Sequence, residues 1–367
     1  MKRFFLPALT GALALTLSVP VLAEDVTYPP GALQNITCVA AWNNVLTPDG
    51  SGNFKSNAVS GGNATTPTNT VTLNSGAATN PNHVSGAINC LDDESVNFNR
   101  VSITGSEAFN VFGAYHLLNS NDAASVNNNQ VTVSGGTVSN VYGGMAHNNG
   151  AGNATANGNT VTITGGTING TVLGGLADSN SGAAEASNNT VVIVANLPAS
   201  TFGVTASLFG GDARGVTAVS TGNTLQMASA GLTVYELDSF QNFRFTLPAS
   251  LSGGGTVLTT TDYARISTNS TVSVTAASGL TVSTGDVFTL IGCGAGCDFS
   301  GTLAAASQNG TLNGYRYTLS VTGDGSLIMT IGAPLAAQTA TSVPVMHPAM
   351  LVLLALALGG LAARRRV

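Results

Sequence analysis

The chain has 367 residues, of which 8% are charged and 43% hydrophobic, with 45 Gly and a formal net charge of −6. Sparse charge and only two lysines, Lys2 and Lys55, exclude a nucleic-acid binder, which needs clustered Lys and Arg. Few strong helix formers argue against a helical bundle, and the apolar content argues against disorder.

In chain order, the first element reads as a secretory signal peptide over residues 1–23. Lys2 and Arg3 precede an apolar stretch, and Val21-Leu22-Ala23 places small residues where a signal peptidase cuts. An uncleaved N-terminal anchor is the competing reading. Between residues 24 and 363 there are six basic side chains against 17 acidic ones, leaving −11, a charge that discourages binding to anionic lipid or nucleic acid. Residues 24–66 are expected to form an N-terminal cap on the repeat region.

Residues 67–240 repeat. Asn69-Thr-Val-Thr-Leu73 returns at Asn99, Asn129, Asn159 and Asn189 in steps of 30 residues, and a sixth copy starts at Asn223 after 34. Within each copy apolar residues alternate with Thr, Ser or Gln, the period of a half-buried strand. A Gly turn, a second short strand and a Gly-Gly corner come next, as in Ser134-Gly-Gly-Thr-Val138 and Asn140-Val-Tyr-Gly-Gly144. A fixed period of strands and corners predicts an all-β chain: a right-handed parallel β-solenoid, or β-helix. The inward Val and Ile should stack from coil to coil, and the Asn residues should form a hydrogen-bonded column at one corner, a structural rather than ligand-binding feature.

The repeats Asn128 to Ala146 (NNQVTVSGGTVSNVYGGMA) and Asn159 to Ala177 (NTVTITGGTINGTVLGGLA) resemble the passenger domains of autotransporter adhesins. The resemblance extends to Phe240-Gln-Asn-Phe-Arg-Phe-Thr-Leu-Pro248 and Gly285-Asp-Val-Phe-Thr-Leu-Ile291, covering residues 67–330. It implies an adhesin-like or structural surface protein. One departure is that no set of alternating strands sufficient for a membrane barrel comes after residue 335. Residues 241–335 carry candidate strands at 243–247, 256–260, 271–275, 287–291, 315–321 and 326–331, which either continue the solenoid or form a β-rich C-terminal cap.

Residues 336–367 read as a linker and a sorting or membrane tail. Residues 349–363 form a short hydrophobic helix of 15 residues, roughly 22 Å long at ~1.5 Å per residue, against a bilayer core of about 30 Å. Val343-Pro344, this apolar run and the terminal Arg364, Arg365 and Arg366 resemble the IPTL-CTERM and PEP-CTERM sorting signals. That likeness implies a Gram-negative bacterium, display at the cell surface or outer envelope, and processing by an exosortase-like peptidase. A plain tail anchor is the alternative.

Four cysteines in an exported chain favour disulfides. Cys293 and Cys297 sit in a small-residue loop and are expected to pair, leaving Cys38 with Cys90. A zinc site is the weaker alternative, since no His lies near. No cofactor, metal or catalytic residue is assigned. His83, His116, His147 and His347 fall in no metal spacing, although His116 and His147 come just after the same corner in adjacent coils and are candidates to approach each other. Polysaccharide lyases and glycosidases also use β-helices, so the acidic residues bear on the question of catalysis. Asp92-Asp93-Glu94 cluster beside Cys90, Asp178 stands alone, and Asp212-Ala-Arg214 is the best isolated acid–base pair. The expected partners are the membrane through the tail and a surface glycan or another cell.

Overall fold

A computed structural model describes residues 25–28, 54–58, 70–73, 83–89, 95–294, 297–323 and 325–335. These form a parallel β-solenoid of about seven turns, with no α-helix among the described residues. The segments expected to be a signal peptide (1–23) and a hydrophobic C-terminal helix (349–363), together with Val343, Pro344, the three terminal arginines, Cys38 and Cys90, lie outside the described residues. Among those described, no helix is long and apolar enough to cross a membrane.

The alternation seen in sequence becomes two inward columns. Val71, Val101, Val131, Val161, Val191, Leu225, Phe243 and Val272 are consecutive register partners on the first face of the coil. Leu73, Ile103, Val133, Ile163, Ile193, Met227, Phe245 and Val274 form the second column. All are buried, and β-branched residues suit such a stack because their χ1 is already restricted. A second face, joined to the first through the Gly135–Gly136 bend in strand Gln130–Tyr142, closes this core with Val111, Val141, Val172 and Leu208.

Beyond the Gly-Gly corner a third face begins, with strands Tyr115–Leu118, Met145–Asn148, Leu176–Ser179 and Asp212–Arg214. It packs on short strands such as Ala154–Thr155 through a separate core of alanines, among them Ala124, Ala146, Ala154, Ala177 and Ala184. The corner must be glycine because the chain passes too close to the next coil. A Cβ on Gly143 would collide with the Gly174 carbonyl oxygen and stand 2.9 Å from the Asn159 Cβ.

Between the two cores runs the asparagine column. Asn99, Asn129, Asn159, Asn189 and Asn223 are buried. Each of the first four donates its backbone N–H to the side-chain oxygen of the next, at 2.8–2.9 Å. The side-chain amides also bond to one another, as from Asn129 Nδ2 to Asn159 Oδ1 at 3.1 Å. A parallel, half-buried ladder runs the other way: Asn127 and Asn157 backbone N–H groups donate back to Asn97 and Asn127 Oδ1.

The coil then narrows. Gln241 takes the asparagine's place only 18 residues after Asn223, accepting from its N–H at 2.8 Å. Strand Asp212–Arg214 is the last of the third face, and Leu232–Leu247 and Thr256–Ala276 carry only the first two faces forward. Parallel pairing persists to Asp298–Ser300. The end is closed by antiparallel strands: Val287–Cys293 with Leu327–Pro334, then Tyr315–Val321, then Asn309–Leu312. Reversing direction there covers an edge that otherwise presents unpaired main-chain groups. Both sequence alternatives for residues 241–335 are therefore present in succession. At the other end Asp25–Tyr28 and Phe54–Ala58 add to the stack in parallel.

Candidate functional site: a groove between the second and third faces

The Gly-Gly corner bends the chain so that outward residues on both sides of it converge. On the second face Phe112, Tyr142, Leu173 and Phe209 are successive register partners. Facing them on the third are Tyr115, Met145, Leu176 and Asp212. The angle between the faces buries Phe112 and Tyr115 almost completely although both point away from the main core. The Phe112 and Tyr142 rings stack at 5.0 Å with planes 13° apart. The result is a groove of about 600 Å³ running along the solenoid.

The groove changes character along its length. One third-face column reads Leu117, His147, Asp178, Arg214, so successive coils pass from apolar to charged. Where the third face stops, Glu236, Asp238 and Tyr263 complete the lining. Each carboxylate has a neighbour. His147 Nδ1 lies 3.1 Å from Asp178 Oδ2, Arg214 bonds Asp212, and Arg265 Nη1 lies 3.6 Å from Asp238 Oδ2. Glu236 is the register partner of Tyr263, and the Arg265 guanidinium sits 4.3 Å over the Tyr263 ring.

The electrostatics arise from this crowding. Burial, then the nearby Glu236 and Asp238 charges, push the Tyr263 phenol up to about 12. Burial and the Asp178 charge raise Tyr115, and burial raises Tyr142 against the pull of Arg214. The hydrogen bond to Asp212 raises Arg214 further. Asp238 is held above the usual carboxylate range, because burial outweighs the Ser239 N–H it accepts from and the Arg265 charge.

A folded acid held above its unfolded pKa stabilises the fold fully only at pH below about 4, and that contribution is lost as pH rises through the folded value. Replacing Asp238 with Asn is therefore expected to raise stability at pH 7 and to give no gain at pH 3. Denaturant midpoints of both proteins across that range check it. A variant clearly weaker than the parent at pH 7 shows instead that the Arg265 pairing dominates.

Several sequence candidates meet here. Asp178, Asp212 and Arg214 line the groove, brought together by the register although 34 and two residues apart. His116 and His147 do not converge. They sit one register position apart, so their side chains leave opposite sides of the third face. His116 is buried with its Nδ1 2.9 Å from the Ser125 backbone nitrogen, whereas His147 faces the groove. Asp92-Asp93-Glu94 lies outside the described residues. Cys293 and Cys297 are disulfide-bonded in the C-terminal part of the solenoid, away from the groove lining. No group of three His, Cys, Asp or Glu among the described residues is arranged to hold a metal ion.

Glu236, Asp238, Tyr142 and Tyr263 do not stand out in the sequence. Aligning the repeats on the Gly-Gly corner exposes the first part of the signal, because the residues one and three positions beyond it fall in two columns, Met145, Leu176, Asp212 and His147, Asp178, Arg214. The coil that shortens to 18 residues hides the rest. No protein-family model, curated protein or solved structure matches the chain.

Proposed function

We propose that the chain is an exported, adhesin-like β-solenoid of a Gram-negative cell surface, a rigid rod that presents its groove to a binding partner. The observation that carries this reading is the groove itself: an aromatic floor beside four carboxylates, three of which already face a histidine or an arginine. That arrangement suits recognition, in which fixed polar groups orient a ligand, more than turnover. The Cys293–Cys297 bond fits an oxidising compartment. The coil is taken as right-handed, the hand that strand twist favours. In this reading residues 1–23 direct export. The short C-terminal helix pauses in the inner membrane with Arg364, Arg365 and Arg366 on its cytoplasmic side, and an exosortase-like peptidase then acts near Val343-Pro344.

The mass and location of the mature protein in intact cells test it. The expected product starts after Ala23, lacks Arg366, is surface-accessible, and shows Cys293–Cys297 and Cys38–Cys90 links in non-reduced digests. Changing the three arginines to Ser should yield unprocessed or freely secreted chain, since each charge resists crossing the bilayer. Surface protein that keeps Arg366 replaces the sorting signal with a tail anchor, and free thiols at all four cysteines contradict export.

A second reading, a carbohydrate-active enzyme, is favoured by one feature. Asp238 has the raised carboxyl a general acid needs, and Asp212 lines the same groove. Shortening of a glycan polymer by the purified chain would establish it.

A further inference from the structure

We propose that the groove binds a neutral or amino-sugar oligosaccharide laid along the solenoid axis. The inference rests on reading the groove as a binding surface and adds the chemistry of what fills it.

The main chain beneath the groove is already committed. The carbonyls of Tyr142, Leu173 and Phe209 accept from Gly113, Gly143 and Gly174 at 2.9–3.0 Å. The N–H groups of Met145, Leu176 and Asp212 donate to the preceding coil at 2.9–3.0 Å. An extended peptide therefore finds no strand edge to extend, and recognition falls to side chains.

Those side chains present two complementary surfaces. Tyr142, Leu173 and Phe209 form an apolar floor that repeats once per coil, about every 4.8 Å. Tyr142 and Phe209 are only half-buried, so ring surface remains for a ligand. A pyranose offers a matching apolar C–H face and is close to one coil spacing in length. Along the charged end stand carboxylates with acceptor capacity to spare, and the guanidinium of Arg214 with five donors. A rim of hydroxyls satisfies both kinds of group, which a purely apolar ligand does not.

Charge decides between glycan classes. Asp178, Asp212, Glu236 and Asp238 outnumber the basic groups His147 and Arg214 in the lining. The excess negative charge repels uronate polymers and accommodates hydroxyls or a protonated amino sugar.

The test is titration of the purified full chain with chito-, chitosan- and cello-oligosaccharides, polygalacturonate and oligolysine. The expected result is saturable binding of at least one neutral or amino-sugar oligomer and none of polygalacturonate. Tyr142→Ala and Phe209→Ala should each weaken binding about tenfold at an unchanged melting temperature. Should either variant melt early, Arg214→Ala decides, because its side chain is 64% exposed and its removal leaves the fold intact. Parent-like affinity in Arg214→Ala overturns the proposal. So does binding of polygalacturonate or oligolysine alone, or binding of no glycan at all. In that last case attachment of cells displaying the chain separates a wrong ligand class from a wrong surface-binding role. Shortening of a bound oligosaccharide retains the ligand class and replaces the binding reading with catalysis.

Discussion

Replacing Val161 with Asp is expected to destabilise the solenoid by at least about 4 kcal/mol. Val161 is fully buried, with Val131 before it and Val191 after it in the inward column. A carboxylate there has no basic partner among the aliphatic side chains of that core, so it stays protonated at a cost or forces the coil open. Because each coil is the template for its neighbours, the damage spreads to the strands on either side. Thr162→Asp is the control. It lies one residue along the same strand on the outward side, half-buried, and should cost no more than about 1 kcal/mol. Thermal melts of the two variants check the register, since a Thr162→Asp variant that melts before Val161→Asp would mean that the inward and outward sets are exchanged.

Asn159→Ala is expected to cost about 3 kcal/mol. The side chain accepts from the Asn129 backbone N–H at 2.9 Å and from Asn129 Nδ2 at 3.1 Å. It donates to the Val126 carbonyl at 3.1 Å and to Asn189 Oδ1 at 3.2 Å. Alanine breaks all four bonds and strands an N–H and a carbonyl in a site that water does not reach, which costs more than the bonds themselves contribute. Asn157→Ala, in the half-buried ladder beside it, loses the bond that its Oδ1 accepts from the Ser187 N–H, which water can replace, and should cost about 1 kcal/mol. Denaturant melts that rank the two variants in the opposite order would assign the buried column a minor role.

The two columns of Val and Ile were legible because a strand's period of two, multiplied by a 30-residue step, leaves only one stacking. The asparagine column was legible for the same reason: an Asn at the same phase of five successive repeats has to meet itself. The groove was not. Alternation classes Tyr142, Leu173 and Phe209 as outward, and outward ordinarily means solvent. Only the re-entrant angle at the Gly-Gly corner turns those residues toward a second wall. The charged end was hidden for a different reason. Asp212 and Asp238 belong to coils of unequal length, so a fixed period places them on unrelated faces. It is the narrowing at Gln241 that brings Glu236 and Asp238 beside Arg214. Gln241 replaces the expected Asn by a residue one methylene longer that still reaches the Asn223 N–H.

The uniform register has a kinetic consequence. From Arg100 to Ile193 the paired residues on the first face are 30 apart on every coil, so closing each coil requires a loop of the same modest length. Most parallel sheets fold slowly because their partners are far apart in sequence. Here the next segment always finds its template one coil back, and assembly proceeds by accretion rather than by global search. The same uniformity makes the rod's length an editable quantity. Removing residues 130–159 joins Asn129 to Thr160, the same phase of the repeat. The shortened chain keeps its cross-section and loses one coil, about 4.8 Å of reach.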